Sequence, residues 1–217
     1  MLMEPAKIYV IRHGETSLNA KAVMQGRLDE PLNESGRELA AITGREMRGI
    51  RFDGCVSSPL IRATETAEIL LLESENRIPV MTDERLLEID FGSMEGRKLT
   101  DLGEGGIAFF REPFRFDGFP GGESIKAVCL RTQAFFRDLI SRIGRGQTWL
   151  VSTHGCALRA MLNPLYDDPS DFWQGHAPYN CAVAIVDVKD GIPRILESDR
   201  IYYPSDLAVD RFRKAKE

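Results

Sequence analysis

The chain has 217 residues, 43% of them hydrophobic and 28% charged, which is an ordinary balance for one folded domain with a sizeable core. The formal net charge of -5 and the isoelectric point near 5.4 argue against nucleic acid or an anionic membrane surface as a partner, because both bind basic faces. No apolar stretch reaches membrane-spanning length, and the first six residues do not resemble a signal peptide, so a cytoplasmic location is expected.

A run of β-branched and aromatic residues, 8–11, ends abruptly at Arg12 and His13. This pattern predicts a buried strand whose last residues reach the edge of a sheet. In open α/β sheets the ligand crevice lies beyond the carboxyl ends of the strands, so Arg12 and His13 are candidate functional residues. The guanidinium of Arg12 is suited to bidentate contact with a phosphate.

The same pattern returns at residues 148–153, an apolar run that ends in His154 and Gly155. A single histidine after a strand is more often structural than catalytic. Here two strands end in His-Gly, and each glycine allows the backbone to approach a ligand closely. The pair therefore indicates a functional site that includes His13 and His154.

The segment after the first strand, residues 15–28, is predicted to be a loop with one helical turn. It carries Asn19, Gln25 and Gly26, which are able to line a pocket. A helix is predicted next over residues 33–49, and the asparagine at its start is a suitable N-cap.

A second strand is predicted at residues 52–57, followed by a helix with Pro59 at its first position. Arg62 would then lie in the first turn of that helix, where free backbone N–H groups and the helix dipole favour an anion. The alternative for Arg62 is a solvated or carboxylate-paired surface group. Residues 78–81 form a short strand, and Pro79 places it at the edge of the sheet.

Residues 84–96 combine carboxylates with Leu, Ile, Phe and Met side chains. An apolar environment favours the protonated form of a carboxyl group, which a general acid must have at neutral pH. Glu88 is the main candidate for this role, and Asp90 and Glu84 are lesser ones. The alternative for each is a surface ion pair.

Residues 103–122 are rich in Gly, Pro and Phe. A long structureless loop with aromatic side chains suits a lid over a pocket or a contact patch. The alternative is a satellite hydrophobic cluster.

The remaining chain predicts four elements. Apolar residues recur at helical spacing over 124–143, which indicates a long amphipathic helix, and residues 157–162 are also predicted to be helical. Residues 181–188 and 192–201 are predicted to be two strands joined by a hairpin turn. His176, the third histidine, is interpreted as structural.

The four cysteines form no C-x-x-C pair, so neither a disulfide framework nor a zinc site is predicted. They are Cys55, Cys129, Cys156 and Cys181. We interpret them as buried small hydrophobes, except that Cys156 is expected to border the site and to be oxidisable there. Metal-ligand spacings and the glycine-rich loops of nucleotide-binding proteins are absent from the sequence. Neither a metal site nor a nucleotide-binding loop is therefore expected.

Five motifs follow one another along the chain. They are Arg12-His13-Gly14-Glu15-Thr16, Ser57-Ser58-Pro59-Leu60 with Arg62-Ala63, Leu87-Glu88 through Phe91-Gly92 to Glu95-Gly96, Gly121-Gly122-Glu123-Ser124, and Thr153-His154-Gly155. In composition and order they resemble the histidine phosphatase superfamily, in its phosphoglycerate-mutase-like branch. The resemblance implies a single domain over residues 1–217, built as a three-layer α/β/α sandwich around a mostly parallel sheet. It also implies no metal or organic cofactor. The composition of the segment described above adds a lid or insert at about 97–122.

By the same resemblance His13 is the nucleophile, and its attack on phosphorus forms a phosphohistidine. Arg12, Arg62 and His154 hold the phosphoryl oxygens, and nearby guanidinium charge keeps the nucleophilic ring neutral. Glu88 protonates the leaving alkoxide and then takes a proton from the water that hydrolyses the phosphoenzyme.

The resemblance also implies supporting residues. Asn19 and the backbone N–H of Gly155 match positions that orient or bind the phosphate. Gln25 and Glu123 match positions that line the substrate mouth. With Gly26, these residues make up the predicted substrate- and phosphate-binding set.

The implied activity is hydrolysis of a small-molecule phosphate ester, which is the one partner predicted. Dedicated mutases of the family carry a longer basic insertion after the acid, whereas residues 97–120 are short here, rich in phenylalanine and poor in cations. A phosphatase is therefore favoured. A cofactor-dependent phosphoglycerate mutase and a non-catalytic phosphate-binding family member are the alternatives.

Overall fold

The computed structural model describes residues 4–101 and 103–209, and a six-stranded sheet forms their centre. The strands are β1 (Ala6–Arg12), β2 (Gly54–Ser57), β3 (Val80–Thr82), β4 (Thr148–Thr153), β5 (Val183–Lys189) and β6 (Ile192–Arg200). The helices are α1 (Ser17–Ala20), α2 (Glu34–Glu46), α3 (Ile61–Glu73), α4 (Gly103–Arg111), α5 (Ile125–Arg142) and α6 (Gly155–Leu162). None of these helices is long and apolar enough to cross a membrane.

Strand β1 lies inside the sheet, between β4 and β5, in the order β3-β2-β4-β1-β5-β6. The first four strands of this order run parallel, and β5 and β6 add an antiparallel hairpin at one side. In the register of β1 and β4, Arg12 pairs with Thr153. The next residues, His13 and His154, therefore leave the sheet at the same edge, as the two His-Gly motifs predicted.

Helices cover both faces of the sheet. Successive residues of a strand point to opposite faces, so β1 contributes to two separate cores. Ile8 and Val10 pack in one core with residues of α5 and α6. Tyr9 and Ile11 pack in the other with residues of α2 and α3. This arrangement confirms the predicted fold class, an α/β protein with a three-layer α/β/α sandwich around a mostly parallel sheet.

The segment predicted to be a structureless loop is partly helical. It contains α4 and a 3-10 turn at Pro113–Arg115. Glycine disfavours a helix, but Phe109 and Phe110 are buried in a third hydrophobic cluster, and this burial outweighs the weak local propensity. The satellite cluster, which was the alternative, is therefore present. Movement of the segment as a lid stays a prediction.

Other predicted boundaries differ from the observed ones by one to three residues, and two of these differences have a clear cause. Pro59 is not the first residue of a helix, because Leu60 is the N-cap and α3 begins after it. Strand β5 begins two residues later than predicted, because Cys181 has a φ of 56°, which lies outside the extended region. The predicted cap of α2 is confirmed, because the Asn33 side chain accepts from the Gly36 N–H at 2.7 Å. The β5–β6 hairpin is also confirmed, and its turn residues Asp190 and Gly191 both have positive φ.

The start of α2 supports the loop that follows β1. A Cβ atom on Gly36 would lie 2.1 Å from the Glu15 carbonyl oxygen, and one on Gly14 would lie 2.6 Å from the Gly36 carbonyl oxygen. Only glycine permits so close a backbone approach. In addition, the Asn33 backbone N–H donates to the Glu15 carbonyl at 2.9 Å, and its Nδ2 donates to the Glu15 carboxylate at 2.9 Å. The loop that carries His13 is therefore held from behind by a helix.

Candidate active site

Backbone hydrogen bonds hold His13 at the carboxyl end of β1. Its N–H donates to the Thr153 carbonyl at 2.9 Å, which extends the pairing with β4 by one residue. Its carbonyl accepts from the Asn180 side chain at 3.0 Å and from the Cys181 N–H at 3.3 Å. The neighbouring Gly14 N–H donates to the Thr66 hydroxyl at 2.9 Å. Contacts from both sides thus fix the backbone around this histidine.

The ring of His13 is held in one orientation and one tautomer. Its Nδ1 lies 2.7 Å from the Gly14 carbonyl oxygen, which can only accept, so Nδ1 carries the proton. The Arg62 Nε–H donates to the other ring nitrogen, Nε2, at 3.3 Å, so Nε2 carries a lone pair. A neutral imidazole with its lone pair on Nε2 is the form that a histidine nucleophile requires.

Burial keeps His13 neutral. Its side chain is only 3% exposed, and removal from water lowers its pKa well below the ordinary value. The positive charges of Arg62 and Arg12 lower the pKa further, whereas the hydrogen bond to the Gly14 carbonyl raises it. The lowering of the pKa by burial and by the two guanidinium charges exceeds the raising effect of this hydrogen bond, so the ring is unprotonated at neutral pH.

Arg62 lies in the first turn of α3, as predicted, but it is buried and not on the surface. Its Nη1 donates to the Leu28 carbonyl and its Nη2 to the Gly26 carbonyl, both at 2.7 Å. These bonds aim Nε at the His13 ring. Burial lowers the pKa of Arg62 to about 10, which leaves the guanidinium charged at neutral pH.

Arg12 is buried beside His13, and its Nη1 donates to the Pro178 carbonyl. Gly155 is the first residue of α6, and a Cβ atom there would lie 3.5 Å from the Arg12 Nε. Both residues line the same pocket as His13 and Arg62. Two guanidinium groups and the start of a helix therefore meet at one end of the pocket, an arrangement suited to an anion.

His154 lies behind His13. The two rings pack edge to face with centroids 5.1 Å apart, and the His154 Nε2 lies 2.7 Å from the Ser58 hydroxyl. Burial and the nearby Arg62 charge lower the pKa of His154 well below its ordinary value. Its ring is not among the described groups that line the pocket, so direct contact of His154 with a phosphoryl oxygen stays a prediction.

Glu88 lines the pocket and also caps the start of α6. Its carboxylate accepts from the backbone N–H groups of Cys156 at 3.2 Å and Ala157 at 3.0 Å, and from that of Ile89 at 3.0 Å. The sequence predicted an apolar environment for Glu88, but the structure supplies three backbone donors. These bonds set the orientation of the carboxylate at the pocket wall.

The remaining predicted binding residues fall into two groups. Asn19, Gln25 and Gly26 line the pocket with the residues above. The Oδ1 of Asn19 accepts from the Thr16 N–H at 3.2 Å, which leaves the amide nitrogen to act as the donor toward a ligand. Glu123 does not line the pocket, because its carboxylate is bound by Arg131 instead.

Arg131 is a residue of the site that the sequence motifs did not identify. From α5 it donates to the backbone carbonyls of Arg85, Leu87 and Glu88 at 3.0, 2.6 and 3.0 Å. It also binds both carboxylate oxygens of Glu123, at 3.0 and 2.9 Å. Burial acts to raise the pKa of Glu123, but the hydrogen bonds and charge of Arg131 outweigh it and hold the pKa low. Arg131 thus anchors the segment that carries Glu88.

The outer part of the pocket is apolar and largely aromatic. Its walls consist of Val23, Met24, Phe91, Phe109, Phe110, Cys156, Trp173 and Ala177. Cys156 borders the site as predicted, but burial raises the pKa of its thiol well above the ordinary value, so the reactive thiolate form is disfavoured. His176 lies outside this wall, with its Nδ1 2.8 Å from the Ala177 carbonyl oxygen.

Within the described parts of the chain, no three His, Cys, Asp or Glu side chains come together in a way that could hold a metal ion. The positive charge in the pocket comes from Arg12 and Arg62. The arrangement joins a neutral imidazole, two guanidinium groups, a carboxylate and the start of a helix at one end of an apolar cleft.

Comparisons with known proteins agree with this geometry. A sequence model described as histidine phosphatase superfamily (branch 1) matches residues 8–199. A protein of Methylobacterium sp. (strain 4-46) named 2,3-bisphosphoglycerate-dependent phosphoglycerate mutase is 34% identical over 163 residues, which cover 71% of this chain and 78% of the relative. These matches confirm the resemblance indicated by the five sequence motifs.

Solved structures share the fold. Bacillus stearothermophilus YhfR is 30% identical, and the match has a TM-score of 0.83 and covers 90% of this chain and 98% of YhfR. Phosphoglycerate mutase from Bacillus anthracis str. Sterne is 28% identical, with a TM-score of 0.79 and coverage of 99% of this chain and 98% of the mutase. The sheet and its flanking helices are therefore phosphoglycerate-mutase-like.

The tautomer and charge of His13 can be observed directly. Because its pKa is lowered well below the ordinary value, the ring should remain neutral, with the proton on Nδ1, between about pH 8 and about pH 6. Long-range ¹⁵N–¹H NMR spectra over this range, assigned with a His13→Gln variant, should show no change in the ring nitrogen signals. A titration midpoint near that of a free histidine, or a proton on Nε2 in the neutral ring, would contradict the geometry.

Proposed function

The chain belongs to branch 1 of the histidine phosphatase superfamily, and we propose that it hydrolyses a small-molecule phosphomonoester through a phosphohistidine on His13. One observation carries the proposal: the lone pair of a neutral, buried His13 lies in a pocket with two guanidinium groups and a carboxylate. A phosphoryl group placed at this end of the pocket meets a nucleophile and groups that can stabilise its charge.

When the substrate binds, the Arg62 Nε–H, which donates to the Nε2 atom of His13 at 3.3 Å, donates to a phosphoryl oxygen instead. The freed Nε2 lone pair then attacks phosphorus, an N–P bond forms and the bond to the ester oxygen breaks. Arg12 and Arg62 stabilise the negative charge on the phosphoryl oxygens, and the Asn19 amide and the Gly155 N–H assist them. His154, whose ring packs on that of His13, is the third side chain expected to hold a phosphoryl oxygen. No metal ion takes part in this scheme.

Glu88 transfers the protons. In its protonated form it gives a proton to the departing alkoxide, and the resulting carboxylate takes a proton from water. The activated water attacks phosphorus and the N–P bond breaks. Inorganic phosphate is released, and His13 returns to its neutral form. The backbone donors at the start of α6 hold the carboxylate in the orientation that both transfers require.

Hydrolysis is favoured over isomerisation by the composition of the outer wall. A mutase must retain a doubly phosphorylated intermediate, which requires cations around the second anionic group. The cations of residues 97–120 are Arg97, Lys98, Arg111 and Arg115; all four are exposed, and none of them lines the pocket. With an apolar wall and a carboxylate able to activate water, the phosphoenzyme is expected to be hydrolysed.

A phosphoglycerate mutase is the second candidate, and the name of the Methylobacterium relative favours it. The two activities are separated by giving the purified protein 3-phosphoglycerate with a catalytic amount of 2,3-bisphosphoglycerate. The phosphatase proposal predicts little isomerisation, together with release of phosphate from simple alkyl esters. Isomerisation much faster than phosphate release would establish the mutase instead.

The role of Glu88 is tested by comparing two leaving groups. The Glu88→Gln variant should lose roughly 10²- to 10⁴-fold in kcat/KM, which reports only the steps up to the phosphoenzyme, on an alkyl phosphate, whose alkoxide needs a proton. The loss on nitrophenyl phosphate should be smaller, because nitrophenolate leaves without one. Equal losses on the two esters would contradict the assignment of Glu88 as the general acid.

Arg131 is a positioning residue that acts through Glu88. The Arg131→Met variant should lower kcat on alkyl phosphates by up to about 10²-fold, since small displacements of a catalytic group have effects of this size. KM should change little, and Arg131→Lys should restore part of the rate. Arg137→Met, on an exposed position of the same helix, is the matched control and should have no effect. If Arg131→Met lowers kcat/KM equally for alkyl and nitrophenyl esters, the residue does not act through Glu88 as the general acid.

A further inference from the structure

We propose that the leaving group of the substrate is an uncharged alcohol with an aromatic body and a hydrogen-bond donor close to the ester oxygen. This inference rests on the proposed phosphatase activity, because it assigns the part of the pocket beyond the phosphate. Three features of the pocket carry it: an ordered aromatic wall, the position of its charges and an unpaired polar atom.

The aromatic wall is preformed. Phe109 and Phe110 of α4 meet Trp173, with ring centroids 5.3 and 5.7 Å apart, and Phe91 packs edge to face on Phe109 at 5.3 Å. The Trp173 indole N–H also donates to the Phe109 carbonyl at 3.4 Å. Each of these four residues is buried. Such a wall can bind an aromatic ring by edge and face contacts without the cost of ordering mobile side chains.

The charges of the pocket disfavour an anionic leaving group. Among the described residues that line it, the charged side chains are Arg12, Arg62 and Glu88, and all three serve the phosphate end. A carboxylate or second phosphate on the leaving group would find no cation on the outer wall. An unpaired charge buried against aromatic rings is strongly unfavourable. The outer pocket therefore selects an uncharged body.

Gln25 is the residue that calls for a hydrogen-bond donor on the leaving group. This residue is 6% exposed and lines the pocket, yet its buried Oε1 atom has no hydrogen-bond partner among the described residues. The carbonyl of the next residue, Gly26, accepts from Arg62, which places the backbone that carries Gln25 beside the phosphate end. A buried acceptor without a donor is costly, and rotation of the Gln25 amide toward the pocket would let a hydroxyl or N–H group of the ligand satisfy it.

Binding of non-hydrolysable phosphonates tests the inference independently of turnover. Isothermal titration calorimetry compares ethylphosphonate, 2-phenylethylphosphonate and 2-carboxyethylphosphonate on the full chain. The phenyl compound should bind at least about tenfold more tightly than ethylphosphonate, as expected for added apolar size in a fitted pocket. The carboxylate compound should bind more weakly than ethylphosphonate. Equal affinities for the three ligands would overturn the proposal.

Variants of the aromatic wall test whether it is responsible for the preference for the phenyl ligand. Trp173→Leu and Phe110→Leu should each reduce the ratio of phenyl to ethyl affinity, and a ratio measured on one sample does not depend on the fraction that is folded. Phe114→Leu is the matched control and should leave the ratio unchanged, because Phe114 packs on Phe172 and does not line the pocket. A ratio unchanged in both pocket variants would show that the wall does not bind the leaving group.

The donor is tested by adding a hydroxyl group. The wild type should bind 2-hydroxy-2-phenylethylphosphonate more tightly than 2-phenylethylphosphonate, and Gln25→Leu should abolish this difference. A hydroxyl preference that survives in Gln25→Leu would overturn the role of Gln25. Phosphate release from the matching phosphate esters is measured separately: tight phenyl binding without turnover would contradict the proposed function alone, whereas turnover without a phenyl preference would contradict this inference alone.

Discussion

The hydrogen bond from the Arg62 Nε–H to the Nε2 atom of His13 is the contact on which the site depends. A donor that faces this nitrogen requires a lone pair there, and the Gly14 carbonyl at Nδ1 requires the proton on the other side of the ring. An imidazolium would place a second N–H against the guanidinium, so the same contact that orients the ring also disfavours its protonation. Burial of both side chains strengthens these electrostatic effects, because little water is present to screen them.

Several parts of the fold hold His13 and Arg62 in the positions that this contact requires. The parallel register of β1 and β4 brings His13 and His154 to one edge, and the glycine contact between α2 and the following loop fixes the backbone of the nucleophile. The carbonyls of Gly26 and Leu28 hold the guanidinium of Arg62 from the opposite direction. Glu88 has a double role, since its carboxylate both caps α6 and reaches the pocket. Its place on the wall therefore depends on a helix start and on the Arg131 anchor.

The strand ends and the motif order predict the fold class and the edge of the sheet that bears the pocket, and the predicted site residues other than His154 and Glu123 line that pocket. The role of Arg131 could not be read from the sequence, because three of its acceptors are backbone carbonyls 43 to 46 residues away, and a carbonyl has no signature in the sequence. The same contact explains why Glu123 does not line the pocket. Its motif position predicts a place at the substrate mouth, but its carboxylate is bound by Arg131, eight positions further along the chain. Helix α4 was missed because local glycine propensity opposes it, whereas the burial that stabilises it depends on the distant Phe172 and Trp173.

The central claim is that the Nε2 atom of His13 receives the phosphoryl group. It is tested most directly by mixing the enzyme with an alkyl phosphate labelled in its phosphoryl group, quenching within milliseconds, and locating the label by mass spectrometry of the digested protein. The account predicts an acid-labile, base-stable phosphoenzyme whose label lies on His13, and no labelled protein from the His13→Ala variant, which should also lack turnover. Label on another residue, or full turnover by His13→Ala, would contradict it.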